Sequence, residues 1–376
     1  MKKNILGISI LLLGVAASLL MVIRKSQPDE TLVYEDLKEA SFYTQLGNDK
    51  VQCDLCPNRC ILAPKQRGLC KVRENIKGKL YSLVYGKPVT IHVDPMEKKP
   101  MFHFLPGAKV YSLATAGCNL ECKYCQNWDI AQRMPEDLAS VAKTPEEVVE
   151  EAIKSGSEAI AFTYNEPTVW YEYMLDIAKL AKEKGLKTVV ISSGFINQEP
   201  LKQLLPYIDA YKVDFKSINS QTYIELIRGR IEPVMETIKT IHKSKTWLEL
   251  VHLLVPGYTD DPEEIKQLCE WIMTEVGPDV PVHFSRFQPM FKLLDLSPTP
   301  EKTVKLAREI CLGVGLNYVY TGNIEDIEGS TTFCPDNHNP LLIRDGYLIK
   351  ENQIDADGKA ENCQTVIPGV WQKPAK

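Results

Sequence analysis

The chain has 376 residues, and its 44 Lys and Arg against 49 Asp and Glu give a formal net charge of −5. With 44% hydrophobic and 25% charged residues, its composition is that of a globular protein and excludes a fibrous or wholly disordered chain. The slight acidity argues against a nucleic-acid partner, because phosphate neutralisation requires a concentrated Lys and Arg surface.

The first predicted element is an apolar segment at the N-terminus. Residues 5–23 carry no charge and are followed by Arg24 and Lys25. As a helix this run would cover about 28 Å, close to the ~30 Å hydrocarbon core of a bilayer. A cleaved signal peptide is the alternative, because residues 15–17 (Val-Ala-Ala) resemble a small-residue cleavage site. The run continues to Ile23, which favours a membrane anchor within residues 1–27. Two basic residues on each side leave its orientation open.

A Cys-rich region is predicted over residues 28–105, beginning with a linker and a helix at about 32–46. The chain has eleven cysteines, of which seven form two tight clusters, and this favours metal or redox chemistry in a reducing compartment over a disulfide framework. The first cluster consists of Cys53, Cys56, Cys60 and Cys70. Four thiolates at this spacing can surround one Zn²⁺ or one iron–sulfur cluster, and the spacing does not decide between them.

Strands and helices alternate in the following region, residues 106–325. Strands are predicted at 109–116, 159–164, 187–192, 210–215, 247–255, 282–287 and 317–320, and helices at 145–155, 168–184 and 262–276. This alternation predicts an α/β fold with a parallel sheet, here a partial (β/α)6 TIM-like barrel. In such a barrel the chemistry lies at the carboxyl ends of the strands. Residues 326–376 are predicted to form a small β-rich tail.

The second cysteine cluster directly follows the first predicted barrel strand. Cys118, Cys122 and Cys125 can hold three corners of a [4Fe–4S] cube, whose fourth iron would then have no ligand in this motif. An open metal position binds a substrate or cofactor, whereas a closed site is structural. The alternative is a zinc knuckle completed by a distant residue.

Several motifs together resemble the radical S-adenosylmethionine (SAM) superfamily. They are residues 94–100 (DPMEKKP), 115–128 (TAGCNLECKYCQNW), 161–168 (AFTYNEPT), 282–287 (VHFSRF) and 318–323 (YVYTGN), together with the first cysteine cluster. Within the superfamily, the sequence looks like the AmmeMemoRadiSam-system radical SAM enzymes, which are relatives of the pyruvate formate-lyase activating enzymes. The resemblance covers roughly residues 40–345.

The resemblance implies an activating-enzyme-like oxidoreductase. Cys118, Cys122 and Cys125 would ligate the [4Fe–4S] cluster, and SAM would bind the free iron and be cleaved reductively to a 5′-deoxyadenosyl radical for hydrogen abstraction. It also implies a reductant such as flavodoxin or ferredoxin. A further partner would be either Memo-like and AMMECR-like proteins or a glycyl-radical enzyme.

The resemblance also assigns residues to SAM binding. Tyr124 would lie near the adenine, and Asn165 and Glu166 would accept hydrogen bonds from the SAM ammonium. Ser192 and Ser193 would lie around the ribose or the carboxylate. Ordinary packing of Tyr124, and a helix-capping role for Glu166, are the alternatives.

Asp214 and Lys216 match an Asp-x-Lys motif of the activating enzymes, which implies a catalytic charged pair; a structural ion pair is the alternative. His252, His283 and Arg286 lie at or near strand ends. Their side chains either face substrate or have their hydrogen bonds satisfied inside the barrel.

The remaining cysteines are predicted to be structural or degenerate. Cys269 and Cys311 lie in apolar helical contexts, typical of core packing. In the resembling family the tail carries two Cys-x-x-Cys pairs, but here Cys334 and Cys363 each lack the expected partner. His338 could replace one ligand, so the tail would have three metal ligands at most.

Two functions remain open on the sequence. The first is a radical SAM enzyme, anchored to the membrane with its barrel facing the cytoplasm. The second is a non-catalytic iron–sulfur or zinc protein for electron transfer or scaffolding at the membrane.

Overall fold

The structure is a computed structural model that describes residues 37–371. The predicted anchor or signal segment, residues 1–27, lies outside these residues and stays a prediction. Within residues 37–371, no helix is both long and apolar enough to cross a membrane.

The Cys-rich region forms two small antiparallel sheets. Its strands are β1 (Lys38–Glu39), β2 (Tyr43–Gln45), β3 (Val51–Cys53), β4 (Ile61–Leu62), β5 (Arg73–Ile76) and β6 (Lys79–Ser82). One sheet has the order β1-β6-β5 and the other β2-β3-β4. The helix predicted at 32–46 is wrong for its described part, because β2 pairs with β3 and this tertiary pairing outweighs a weak local preference.

The central sheet confirms the predicted α/β partial barrel. Its eight strands are β7 (Thr90–Pro95), β8 (Lys109–Ala114), β9 (Ala159–Phe162), β10 (Lys187–Ser192), β11 (Ala210–Asp214), β12 (Trp247–Leu254), β13 (Val282–Arg286) and β14 (Val319–Gly322). They pair in sequence order, with β8 to β14 parallel and β7 antiparallel to β8. The edge strand β7 was not predicted, since its sequence alternates little and ends in the Asp-Pro turn.

Helices follow the barrel strands. The α-helices are α1 (Trp128–Ala131), α2 (Pro145–Lys154), α3 (Tyr171–Glu183), α4 (Gln198–Leu204), α5 (Ser220–Thr222), α6 (Ile231–His242), α7 (Pro262–Glu275), α8 (Glu301–Val314) and α9 (Ile327–Ser330). Short 3₁₀ turns cover Met96–Lys98, Pro135–Asp137, Pro167–Trp170 and Leu205–Tyr207, and a π-helical turn covers Tyr223–Ile227. The three predicted helices are confirmed as α2, α3 and α7, although a 3₁₀ turn precedes α3. Thr144 and Asp261 cap α2 and α7 through side-chain acceptors.

Alternate residues of each barrel strand face opposite layers. On β10, Val190 packs in the large core between sheet and helices, whereas Val189 and Ile191 belong to a separate core inside the barrel. The segment after β7 contributes Met96, Met101, Phe104, Leu105 and Ala108 to that inner core. These residues meet the first residues of the parallel strands, so this segment closes the amino end of the barrel.

The tail forms a third antiparallel sheet, as predicted, from β15 (Thr332–Phe333), β16 (Pro340–Asp345) and β17 (Leu348–Asn352). Cys334 and Cys363 form a disulfide, so the expected degenerate metal ligands are paired with each other. His338 is not a third ligand, because its ring stacks on Phe333 with centroids 4.4 Å apart.

Cys269 on α7 and Cys311 on α8 are both fully buried, which confirms their place in the core. Their sulfur atoms contact each other across the helix pair.

Candidate functional site

Three free thiols lie at the carboxyl end of the barrel. Cys118, Cys122 and Cys125 are in the loop that leaves β8; Cys122 is buried and the other two are half-buried. The loop is fixed by backbone hydrogen bonds, including Glu121 N to Ile227 O at 3.0 Å. The second cluster therefore lies at the end of the barrel where the fold places its chemistry.

The spacing of the three sulfurs fits a multi-iron cluster better than a single ion. A tetrahedral zinc with Zn–S bonds of about 2.3 Å holds its sulfurs roughly 3.8 Å apart. Within residues 37–371, the sulfurs of Cys118, Cys122 and Cys125 do not all lie within 4.8 Å of one another. A four-iron cube, in which each thiolate binds a different iron, separates its ligands more widely.

Burial keeps these thiols protonated in the absence of a cation. It raises the pKa of the Cys125 thiol to about 12, and it raises the pKa of Cys118 and Cys122 as well. Nearby carboxylates, Glu166 at Cys118 and Asp214 at Cys122, act in the same direction. Lys216 acts in the opposite direction at Cys122 and Cys125, but burial outweighs it. Metal ligation requires thiolates, so a bound metal would supply the further positive charge that deprotonates these cysteines.

Asn165 holds in place the loop that carries Cys118, Cys122 and Cys125, here called the cysteine loop. Its Nδ2 donates to Thr115 O and Gly117 O, both at 2.8 Å, and its Oδ1 accepts from Trp170 Nε1 at 3.1 Å. The amide thus ties the turn after β9 to the end of β8 and the start of the loop. That Asn165 binds SAM stays a prediction, and its positioning role was not anticipated.

Glu166 joins the ends of β9 and β10. Its carboxylate is 2% exposed and accepts from Thr168 Oγ1 at 2.7 Å, Ser192 Oγ at 2.7 Å and Ser193 Oγ at 2.6 Å. The Ser193 N–H donates to it at 2.9 Å and the Thr168 N–H at 3.1 Å. The structure therefore brings the predicted residues Glu166, Ser192 and Ser193 into one network. Glu166 also caps the 3₁₀ turn that precedes α3.

The Asp-x-Lys motif includes a third member, Lys212. The Lys212 Nζ contacts Asp214 Oδ1, and the Lys216 Nζ lies 3.4 Å from Asp214 Oδ2. Burial alone would raise the pKa of Asp214, but the two ammonium groups lower it below its ordinary value. The Asp214 side chain is 33% exposed although it lies on an inner strand face, so it borders the open end of the barrel.

Lys216 links the ion pair that it forms with Asp214 to the cysteine loop. Its Nζ lies 5.9 Å from the centroid of the Tyr124 ring. Burial opposes the charge on Lys216, but Tyr124, Asp214 and Cys122 raise its pKa well above the ordinary value. Tyr124 itself is 5% exposed, so any contact with an adenine would be made by a largely buried ring.

The two histidines do not line this site. His252 is buried between Phe215 O and Thr259 O, at 2.8 and 3.1 Å from its ring nitrogens. His283 lies at the amino end of β13 and contacts Glu249 Oε2 at 2.7 Å, so of the two alternatives the structure favours a histidine whose hydrogen bond is satisfied inside the barrel. Arg286 lies at the carboxyl end of β13, the end at which the cysteine loop lies, but its Nε donates to Thr299 O at 2.8 Å.

Some residues at the site were not predicted. Lys212 was missed although Lys212, Asp214 and Lys216 alternate along one strand direction, a period-two pattern that places them on one face. Asn127 Nδ2 donates to Tyr164 O at 2.6 Å and so links the cysteine loop to the turn after β9. No local sequence signal indicates that contact, since 37 positions separate the two residues.

The first cysteine cluster lies beside this loop. Cys53, Cys56, Cys60 and Cys70 are all free thiols, and they line one cavity together with Asn119, the residue after Cys118. The structure thus brings the predicted ligands of the N-terminal site together.

Comparisons with known proteins agree with this site. The sequence profile described as the radical SAM superfamily matches residues 112–272. The uncharacterized protein MJ0808 of Methanocaldococcus jannaschii is 42% identical over 328 residues, which cover 87% of this chain and 97% of that protein. The pyruvate formate-lyase-activating enzyme of Listeria monocytogenes is 26% identical over 175 residues, covering 42% of this chain and 67% of that enzyme.

Among solved structures, a radical SAM methyltransferase from Sphaerobacter thermophilus is similar with a TM-score of 0.47 and 15% identity, over 58% of this chain and 67% of that one. The match to the superfamily profile spans the cysteine loop and the strand ends that carry Glu166 and Asp214. The chain therefore belongs to the radical SAM superfamily and is related to the pyruvate formate-lyase activating enzymes.

Proposed function

We propose that this protein is a radical SAM oxidoreductase of the AmmeMemoRadiSam type, which resembles the activating enzymes of glycyl-radical enzymes. The supporting observation is that three widely spaced free thiols lie beside two charged strand ends, one carrying Glu166 and the other Asp214 with Lys216. When bound, the [4Fe–4S] cluster supplies one electron that cleaves SAM to methionine and a 5′-deoxyadenosyl radical for hydrogen abstraction.

Cys118, Cys122 and Cys125 would hold that cluster, and the groups around them would position SAM. Glu166 keeps the hydroxyls of Ser192 and Ser193 oriented, so that the ends of β9 and β10 present fixed polar groups to an amino acid or ribose. The five hydrogen bonds that Glu166 accepts fix the position of its carboxylate at the ends of β9 and β10.

Asp214 and Lys216 would act at the same end of the barrel, where β11 ends. The accessible Asp214 carboxylate can accept from ligand hydroxyl or ammonium groups while two lysines hold it ionised. The Lys216 ammonium can donate to a ligand carboxylate beside Tyr124. Because the pair is at the barrel mouth and not in its core, it is available to a ligand.

The barrel is closed at its other end, which favours radical chemistry. The core of Met96, Met101, Phe104 and Leu105 fills the amino end of the interior, and each of these side chains is fully buried. Water could therefore not reach a ligand at the carboxyl end through the amino end of the barrel.

The partners belong to the same proposal. A low-potential reductant such as flavodoxin or ferredoxin would deliver the electron. The acceptor of the radical would be either Memo-like and AMMECR-like proteins or a glycyl-radical enzyme. An anchor within residues 1–27 would hold the barrel at the cytoplasmic face of a membrane, where SAM and reductant are available.

The test is anaerobic reconstitution of the full chain, reduction with dithionite and measurement of 5′-deoxyadenosine formed from SAM. We expect 5′-deoxyadenosine with the native chain and none with Cys122→Ala. The matched control is Cys269→Ala, which removes a core cysteine distant from the site and should keep the product. A reducible cluster on Cys118, Cys122 and Cys125 without 5′-deoxyadenosine would instead support the non-catalytic electron-transfer or scaffolding protein.

A further inference from the structure

The N-terminal cysteines surround an enclosed space. Cys53 ends β3, Cys56 and Cys60 lie in the following loop, and Cys70 precedes β5. This space is lined by all four cysteines and by Gly68. A Cβ on Gly68 would lie 3.5 Å from Cys70 Sγ and 3.8 Å from Cys60 Sγ, so the backbone at Gly68 borders the same space as these two sulfurs.

A buried cation faces the same cavity with one donor unused. The Arg73 side chain is 2% exposed; its Nη1 pairs with both Glu172 oxygens at 3.0 Å, and its Nη2 donates to Ser41 O at 2.6 Å. Within the part of the chain that the structure describes, the buried Arg73 Nε has no hydrogen-bond partner. An unused charged donor beside four thiols indicates an anionic occupant, which a thiolate-ligated metal centre would be.

The sulfur spacing selects a cluster over a single ion. A Cys₄ zinc site would hold its sulfurs roughly 3.8 Å apart. Within residues 37–371, no three of Cys53, Cys56, Cys60 and Cys70 form a group with all sulfurs within 4.8 Å of one another. The sulfurs of Cys118, Cys122 and Cys125 likewise do not all lie within 4.8 Å of one another.

The space between the N-terminal cysteines directly adjoins the cysteine loop that carries Cys118, Cys122 and Cys125. Asn119 and Thr168 line it, and these residues neighbour Cys118 in sequence and Glu166 in space. The Asn58 Nδ2 donates to Asn119 O at 2.8 Å. Gly117, with φ of 91°, lies so close that an added Cβ would be 2.5 Å from Cys70 O, so only glycine fits here.

We infer that Cys53, Cys56, Cys60 and Cys70 bind a second [4Fe–4S] cluster, closed by four thiolates, that passes electrons to the catalytic cluster. One electron would leave the reduced N-terminal cluster, which is oxidised, and enter the catalytic cluster, which is reduced. A low-potential one-electron protein donor would then reduce the N-terminal cluster again. The cluster assignment stands on its own geometry, whereas the transfer step rests on the proposed function.

The cluster is tested in the full chain carrying Cys118→Ala, Cys122→Ala and Cys125→Ala, purified and reconstituted without oxygen. We expect about four iron and four sulfide per chain, with the electron paramagnetic resonance signal of a reduced [4Fe–4S] centre after reduction. One zinc per chain, or no metal, would overturn the assignment. Because this variant lacks the catalytic ligands, the result does not depend on SAM cleavage.

The transfer step is tested with the converse variant, Cys56→Ala with Cys60→Ala, against the native chain. The rate of 5′-deoxyadenosine formation is measured with reduced flavodoxin and, separately, with a photoreduced deazaflavin that reaches the catalytic cluster directly. We expect the ratio of the flavodoxin rate to the deazaflavin rate to fall at least tenfold in the variant. An unchanged ratio would refute the relay and leave the iron count of the first experiment standing.

Discussion

Each end of the barrel holds a buried glutamate, and the two are used differently. At the amino end, Glu249 is fully buried and accepts from the backbone N–H groups of Phe102 and His103 at 2.9 and 2.8 Å, and from the His283 ring at 2.7 Å. At the carboxyl end, Glu166 accepts from hydroxyls beside the cysteine loop. Glu249 binds the segment that closes the barrel, whereas Glu166 orders strand ends that remain available to a ligand.

The tail reinforces the closed end. Arg344 on β16 is fully buried, donates to Phe102 O at 2.6 Å and lies 4.1 Å from the centroid of the Phe102 ring. The His103 ring contacts Pro368 O at 2.7 Å and Tyr320 OH at 2.6 Å. Buried charge at this end therefore serves closure, whereas we propose that buried charge at the other end serves ligand binding. A pair of matched substitutions should separate the two roles.

The largest effect is expected for Glu249→Ala. Removing the carboxylate leaves two backbone N–H groups and a histidine without their acceptor, which should lower the free energy of unfolding by about 3–5 kcal/mol. Urea denaturation followed by circular dichroism measures it. Glu249→Gln keeps one acceptor oxygen and should cost less. A loss below about 1 kcal/mol for the alanine variant would show that Glu249 does not hold the closed end.

The counterpart at the open end is Glu166→Gln. Replacing the negative charge by an amide should weaken SAM binding about tenfold to a hundredfold, or about 1.4–2.7 kcal/mol. Isothermal titration of SAM into the reconstituted protein measures this. Glu249→Gln is the control and should bind SAM with native affinity. Equal losses in the two variants would contradict the division of roles between the barrel ends.

Acidification should destabilise the closed end through His103. Burial lowers the pKa of His103 to about 4, below the 6.5 of an exposed histidine. The folded protein therefore favours the neutral form of His103. The stabilisation of the fold by neutral His103 is complete above about pH 6.5 and is lost as the pH falls towards 4. Between pH 7 and 5 the free energy of unfolding should fall by about 2 kcal/mol from this group.

The measurement is urea denaturation at both pH values, and His103→Gln should remove that part of the pH dependence. If the variant keeps the full pH dependence of the native chain, the titrating group lies elsewhere.

The smallest effect is expected for Lys216→Met at the open end. The remaining Lys212 still pairs with Asp214, so the free energy of unfolding should hardly change. SAM affinity should fall about threefold to tenfold, or roughly 1 kcal/mol, because the donor beside Tyr124 is lost. Lys98→Met, which removes an exposed partner of Asp94, is the control. Native SAM affinity in Lys216→Met would refute a binding role for Lys216.

Much of the fold followed from local pattern. Parallel strands and helices were predicted within a few residues because hydrophobic periodicity and caps such as Thr144 are local signals. The strands of the Cys-rich region were not predicted, because β1 to β6 are short and are stabilised by pairing across distant positions. The edge strand β7 was missed for a different reason, because its sequence alternates little and ends in the Asp-Pro turn.

The candidate site divides in the same way. Spacing alone picked out Cys118, Cys122 and Cys125, since metal ligation needs thiols a few residues apart. The family resemblance implied Glu166, Ser192 and Ser193 as separate contacts, but only the fold shows them joined in one hydrogen-bonded network. His283 illustrates the limit, because its partner Glu249 lies 34 positions away in the sequence and only the fold brings the two together.

Sequence by itself determined the chemistry available to this protein: two cysteine clusters, an alternating α/β pattern and charged residues after the strands. The tertiary structure alone decided how these parts relate. It brought the two cysteine clusters together at Gly117, where the cysteine loop passes close to Cys70 O. It also separated Glu166 from Glu249 at opposite ends of one barrel. Such relations depend on contacts between residues far apart in the chain, and no local pattern of side chains encodes them.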